Sequence, residues 1–204
     1  MSTATALNTE PVAPFEAPAA WTLPDRGTVG IVSFIIAEAA IFTIFVVAYL
    51  FYVGKSLSGP TPGEVLETPI FYTVCLLASS LTIHFANASL VRGRRTAFLG
   101  LWALTILLGA LFMLGTGLEW HRLIYEHGLT ISTNLFGTTY YSLVGLHAFH
   151  VTVGLVMLSI VLAFGLAGRV GTEHARRTNV LSLYWHFVDS VWVVVFIVVY
   201  IVGR

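Results

Sequence analysis

The chain has 204 residues, of which 57% are hydrophobic and 10% charged, with no net charge and a mean hydropathy of +0.86. Soluble domains carry about 25% charged residues, so this composition excludes a surface exposed to water all round, and charge neutrality offers nothing to attract nucleic acid. The single cysteine, Cys75, excludes a disulfide framework and a cysteine-built metal site.

Residues 1–26 are rich in Ala, Pro and Thr and hold no Lys or Arg before Arg26. A secretory signal needs a basic start and an apolar core. Lacking both, this segment is expected to be a flexible, uncleaved cytoplasmic tail with Trp21 anchored at the membrane surface. A hydrocarbon layer about 30 Å thick takes about 20 apolar helical residues to cross. Five stretches qualify: 29–53, 70–91, 96–118, 135–166 and 180–202. The expected fold is therefore all-α, a polytopic bundle of five transmembrane helices forming one membrane domain over 27–204. The fourth stretch exceeds what a bilayer requires and is expected to tilt or project.

Cytoplasmic connectors carry the excess of Lys and Arg. Arg26, Arg92, Arg94, Arg95, Arg169, Arg176 and Arg177 fall on one side, against Lys55, Arg122 and Arg204 on the other. This asymmetry predicts a cytoplasmic N-terminus and an external C-terminus.

Ionisable side chains inside a span are costly and usually face a partner, a cavity or a pathway. Here they are Glu38, His84, His147, His150, His186 and Asp189. At about 1.5 Å per residue, Glu38 and Asp189 lie roughly 15 Å from the inner side and His147 roughly 18 Å from the outer side. Groups from four of the five spans thus share one layer. His147 and His150 are three apart on one helix face, as are His186 and Asp189.

Two readings stay open for the histidine pair: ligation of a metal or haem, or hydrogen bonds tying the fourth span to its neighbours. No carboxylate or cysteine joins them at ligand spacing, which weighs toward the second. His186 with Asp189 reads as a proton-handling pair or as an orienting bond between helices, with Asp189 expected to hold the fourth and fifth spans together. Burial of the lone Glu38 carboxyl disfavours its charged form. It is expected to exchange protons, or to sit neutral against a histidine such as His150. Glu119 is expected to cap its helix or pair with Arg122, His84 to be a satisfied polar side chain, and Tyr184, Trp185 and Trp192 to serve packing. A membrane cytochrome holding haem through His147 or His150, and an independent proton channel built on Glu38, are competing readings.

The stretches "AEAAIF" (37–42), "GLTISTNLFGTTYYSLVG" (128–145), "GLHAFHV" (145–151) and "YWHFVDSVW" (184–192) occur in this order. Together they resemble subunit III of the haem–copper respiratory oxidases, the cytochrome c and quinol oxidases, in its five-helix bacterial form. The resemblance implies a subunit with no haem or copper of its own in a proton-pumping terminal oxidase of the bacterial cytoplasmic membrane. Subunits I and II would be its partners and would hold the haem and copper, with cytochrome c favoured over quinol as donor. Structural phospholipid, and support for assembly, proton uptake and durability of the active site, are implied as well.

By motif, Glu38 matches the family's buried carboxyl, which is associated with carbodiimide reactivity. His147 and His150 match its paired histidines, His186 and Asp189 its terminal-helix motif, and Glu119 its glutamate at the end of the preceding helix. Arg122, Arg177 and Trp185 are expected to contact lipid. One departure is Ala148-Phe149, between the histidines, where the family often has a small residue; Phe149 adds bulk to one helix face.

Overall fold

The computed structural model describes residues 26–203. The tail expected over 1–26 therefore lies, apart from Arg26, outside the described residues, as does the anchor expected at Trp21. In lipid every backbone N–H and C=O must be satisfied within the chain, so long apolar runs become helices. Five of these are long and apolar enough to cross a membrane. They are α1 (Arg26–Tyr52), α3 (Ile70–Val91), α4 (Arg95–Tyr125), α5 (Leu135–Leu166) and α6 (Ala175–Phe196), the last continued by wider π turns over Ile197–Val202. A short helix, α2 (Pro62–Val65), lies between α1 and α3, and one 3-10 turn (Thr172–His174) leads into α6.

The two largest boundary differences from expectation have the same reason. α4 runs past 118 to Tyr125, and α6 begins at Ala175 rather than 180. Hydropathy marks where lipid ends, whereas the backbone ladder continues through polar side chains such as Glu119, His121 and Arg176 that suit the region beyond the hydrocarbon.

The connectors are fixed by specific bonds. At the end of α3, Gly93 takes φ +70°, a left-handed conformation that glycine adopts without strain. Its N–H donates to Leu90 O at 3.0 Å and the Arg94 N–H to Ser89 O at 2.9 Å, the pairing of a Schellman stop. The chain reverses at once into α4. At the opposite end, Asn134 caps α5 by accepting from the Gly137 N–H at 2.8 Å, while its amide nitrogen donates to Ser58 O and Pro60 O. In the same region the Thr61 N–H donates to the Glu64 carboxylate at 3.0 Å and holds its pKa below the usual range.

α3 and α4 pack as an antiparallel pair, α5 lies against α4, and α6 touches α1, α3 and α5. Only 6% of the most apolar stretch of α1 is buried, against 50% in the α6 span, so α1 is peripheral and α6 central. The junction is Trp185. A Cβ on Gly109 of α4 would sit 2.9 Å from its ring, and one on Gly154 of α5 2.7 Å from it. The indole therefore fits between two helices only because both lack a side chain there. Its N–H donates to Ser79 Oγ of α3 at 2.8 Å. Trp185 is fully buried, which corrects the expectation that it contacts lipid.

Candidate functional site

The polar groups inside the bundle fall into separate constellations rather than one ring. The first joins α1 to α5. His150 Nδ1 is 2.8 Å from Leu146 O, an atom that can only accept, so Nδ1 carries a proton and donates. Its Nε2 faces Glu38 Oε2 at 3.1 Å. A neutral ring accepts at Nε2, and Glu38 must then donate as a carboxylic acid; a charged ring donates to the carboxylate. Either way one proton lies between the two residues and can pass from one to the other with every other bond intact. Phe42 packs over the imidazole at 5.0 Å, and the Tyr184 hydroxyl donates to His150 O at 3.0 Å.

The second constellation is a seam between α3 and α6. Ser80 donates its hydroxyl proton to Asp189 Oδ2, and its oxygen lies 3.0 Å from His186 Nδ1. With that one proton given to Asp189, Ser80 can only accept from the ring, so His186 carries its hydrogen on Nδ1. The seam continues in both directions. Trp192 Nε1–H donates to Thr73 Oγ1 at 3.2 Å, Trp185 donates to Ser79, and the Asn87 amide donates to Ser182 Oγ. His186 and Asp189 thus meet on Ser80. This corrects the expectation that Asp189 holds the fourth and fifth spans together: its bond runs to α3, the second span, because α6 turns that face toward α3.

His147 stands apart. It is fully buried, stacked on Trp192 at 4.9 Å with the Phe112 ring edge-on at 5.7 Å, and neither of its ring nitrogens has a hydrogen-bond partner. The expected hydrogen-bonded histidine pair is therefore half right. Residues three apart on a helix differ in direction by about 60°, enough here to send His150 to α1 and His147 into an aromatic box. His84, expected to be a satisfied polar side chain, is exposed on α3.

At the end of the bundle remote from the arginine-rich connectors, Glu119 accepts from the Tyr200 hydroxyl at 2.8 and 3.0 Å. Arg122 forms its ion pair with Glu67 of the α1–α3 connector. The expected Glu119–Arg122 pairing is thus replaced by two separate ones, since α6 supplies a closer donor to Glu119. At the arginine-rich end, an apolar groove of about 560 Å³ opens between α1, α5 and α6, lined by Ile31, Phe34, Met157 and Tyr184, with Arg177 at its edge. Among the described residues, no three His, Cys, Asp or Glu side chains are grouped to hold a metal ion.

Sequence reasoning passed over Ser80, Thr73, Ser79, Asn87 and Ser182. The available signal was "ASSLTIHFAN" (78–87), a concentration of small hydroxyls and an amide in one span, the type of side chain that bonds helices together in membranes.

The family model described as cytochrome c oxidase subunit III matches residues 22–204. The chain belongs to the cytochrome c oxidase subunit III family. It is 37% identical over 183 residues to cytochrome c oxidase subunit 3 of Synechocystis, covering 87% of this chain and 76% of that one. It is 31% identical to the subunit of the same name from Alkalihalophilus pseudofirmus, over 88% of this chain and 92% of that one. It is also 32% identical to cytochrome bo(3) ubiquinol oxidase subunit 3 of Pseudomonas aeruginosa, over 83% and 82% respectively. The subunit III family of the haem–copper oxidases thus includes relatives named for either donor. As a member, this multi-pass membrane protein is a component of an oxidoreductase complex with other oxidase subunits.

Proposed function

We propose that this chain is a non-catalytic subunit III of a proton-pumping terminal oxidase, one that holds the complex together and supports proton uptake and durability of the active site. The observation that carries the reading is the use made of the buried polar groups: Glu38, His150, Ser80, His186 and Asp189 bond one helix to another and converge on no common open centre. Haem and copper belong to subunits I and II. Glu38 and His150, sharing one proton at hydrocarbon depth, are the residues suited to buffer protons for the neighbouring catalytic subunit. The apolar groove beside Arg177 has the shape and charge for a phospholipid, acyl chain within and phosphate at the guanidinium. Arg122, already paired with Glu67, is the weaker candidate for such a contact. The excess of arginine in the connectors on one side of the bundle supports a cytoplasmic N-terminus and an external C-terminus.

Cytochrome c is the favoured donor to the complex. Purification of the native complex through a tag on this chain tests the reading. A haem–copper core should copurify and oxidise reduced cytochrome c faster than a quinol. Purification of the chain without haem, or a haem spectrum belonging to this chain alone, would sink it.

A further inference from the structure

α3 carries an imidazole on its outside. His84 follows Ser80 by four residues, so it shares the face on which Ser80 meets His186, and the two rings are within electrostatic reach of one another. Ser80 and His186 are half-buried in the seam, whereas His84 is exposed. α3 has 22 residues, a length of about 33 Å that places His84 about 5 Å from its midpoint. A side chain so short reaches neither interface. Among the described residues, His84 is the one His, Asp, Glu, Lys or Arg at this depth that is exposed rather than buried or half-buried.

Lipid tails offer imidazole nothing to bond to, and a polar group stranded in hydrocarbon is strongly disfavoured. The surroundings of His84 are those of a contact surface. Leu77, Leu81 and Phe85 of α3 are exposed beside it. On α6, Ser190 is exposed one turn beyond His186, with its hydroxyl donating to the His186 carbonyl at 2.8 Å. The exposed face of α1 differs in kind: Ile36, Ile41, Ile44, Val47 and Leu50 are apolar and suit lipid as they stand.

We propose that the α3 face centred on His84 docks a transmembrane helix of another subunit of the oxidase, and that this helix presents a hydroxyl, amide or carboxyl group to His84. The identity of the partner rests on the functional reading above; the location of the face rests on the exposed imidazole. Neutral imidazole has one donor and one acceptor, so a single side chain of any of these types satisfies it, and the leucines and phenylalanine around it pack against the same helix.

The test uses the full chain in its native membranes, with a benzophenone amino acid in place of Leu81 or of Ile44, both exposed positions outside the core. Irradiation should join the Leu81 variant to another oxidase subunit and leave the Ile44 variant without a protein adduct. His84→Leu should lower the amount of this chain retained on detergent-solubilised complex by about threefold to tenfold, the range expected for one bond between helices in a membrane. His84→Gln, which keeps a donor and an acceptor, should restore most of it. An adduct from Ile44 alone, no protein adduct from Leu81, an adduct of twice this chain's mass, or unchanged retention of His84→Leu would overturn the proposal. Copurification of the unsubstituted chain with haem reads the functional proposal separately. A Leu81 adduct with a protein outside the oxidase would keep the face and overturn its partner.

Discussion

The α1–α5 contact and the α3–α6 seam each bring a carboxyl and an imidazole into the membrane, and they are built in opposite ways. At α1–α5 the two groups bond directly, Glu38 to His150 at 3.1 Å, on a helix of which few residues are fully buried. At α3–α6 the carboxyl and the imidazole are both held by a serine, within a row of further bonds and beside the fully buried ring of Trp185. The first arrangement concentrates its polar chemistry in one exchangeable proton. The second distributes it over several fixed contacts. α1 is thus joined to its neighbours by one polar pair and by the buried rings of Phe42 and Tyr49, whereas α3 is bonded to α6 at Thr73, Ser79, Ser80 and Asn87.

The largest effect is expected at the junction that the seam surrounds. Trp185→Ala should cost about 3–5 kcal/mol, the range for losing a buried large aromatic, read as thermal unfolding of the detergent-solubilised protein. A loss below that range would remove α6 from its central place. Glu38→Leu strips His150 of its partner and should cost about 1–3 kcal/mol, whereas Glu38→Gln, which keeps the shape and a hydrogen bond, should cost less. Hydrogen exchange should show the Leu variant loosening α1 alone, with the seam unchanged. Equal yields of assembled complex from the two variants would count against the pair.

Ser80→Ala and Asp189→Ala should each cost about 1 kcal/mol, typical of bonds between membrane helices, and together less than their sum because they share one bond. Strict additivity would break the account of the seam. The smallest effect is expected at His147. Its nitrogens make no hydrogen bond, so His147→Phe, which keeps a flat ring against Trp192, should change stability by less than about 1.5 kcal/mol. A larger loss would mean that the imidazole nitrogens do have a partner in the assembled complex.

The five spans were legible because the hydrocarbon core imposes length and polarity on each independently. Glu38 and His150 were legible as partners because a lone carboxyl in hydrocarbon needs a polar neighbour and the histidines of the fourth span lie in the same layer. The rest depended on rotation about the helix axis, which depth does not fix. Depth allowed Asp189 to bond to the α5 histidines, and the rotation of α6 sent it to Ser80 instead. Spacing put His147 beside His150, and the angle between them separated their neighbours. Glu119 was assigned to Arg122 as the nearest charge in sequence; its donor, Tyr200, lies 81 residues away on the last helix. Trp185 reads as a packing residue with a lipid contact, because nothing in its own span announces the glycines of α4 and α5 that receive it.

Those glycines also bear on the order of events as the protein is made. α6 follows the other four spans along the chain, so α3, α4 and α5 enter the membrane while the slot between Gly109 and Gly154 is still empty. The bundle can pair α3 with α4 early, but it gains its final form only when the indole arrives and Ser79 receives its hydrogen bond. The last helix therefore completes the bundle: a chain that ends before Trp185 leaves the space between Gly109 and Gly154 unfilled and Ser79 without its indole donor.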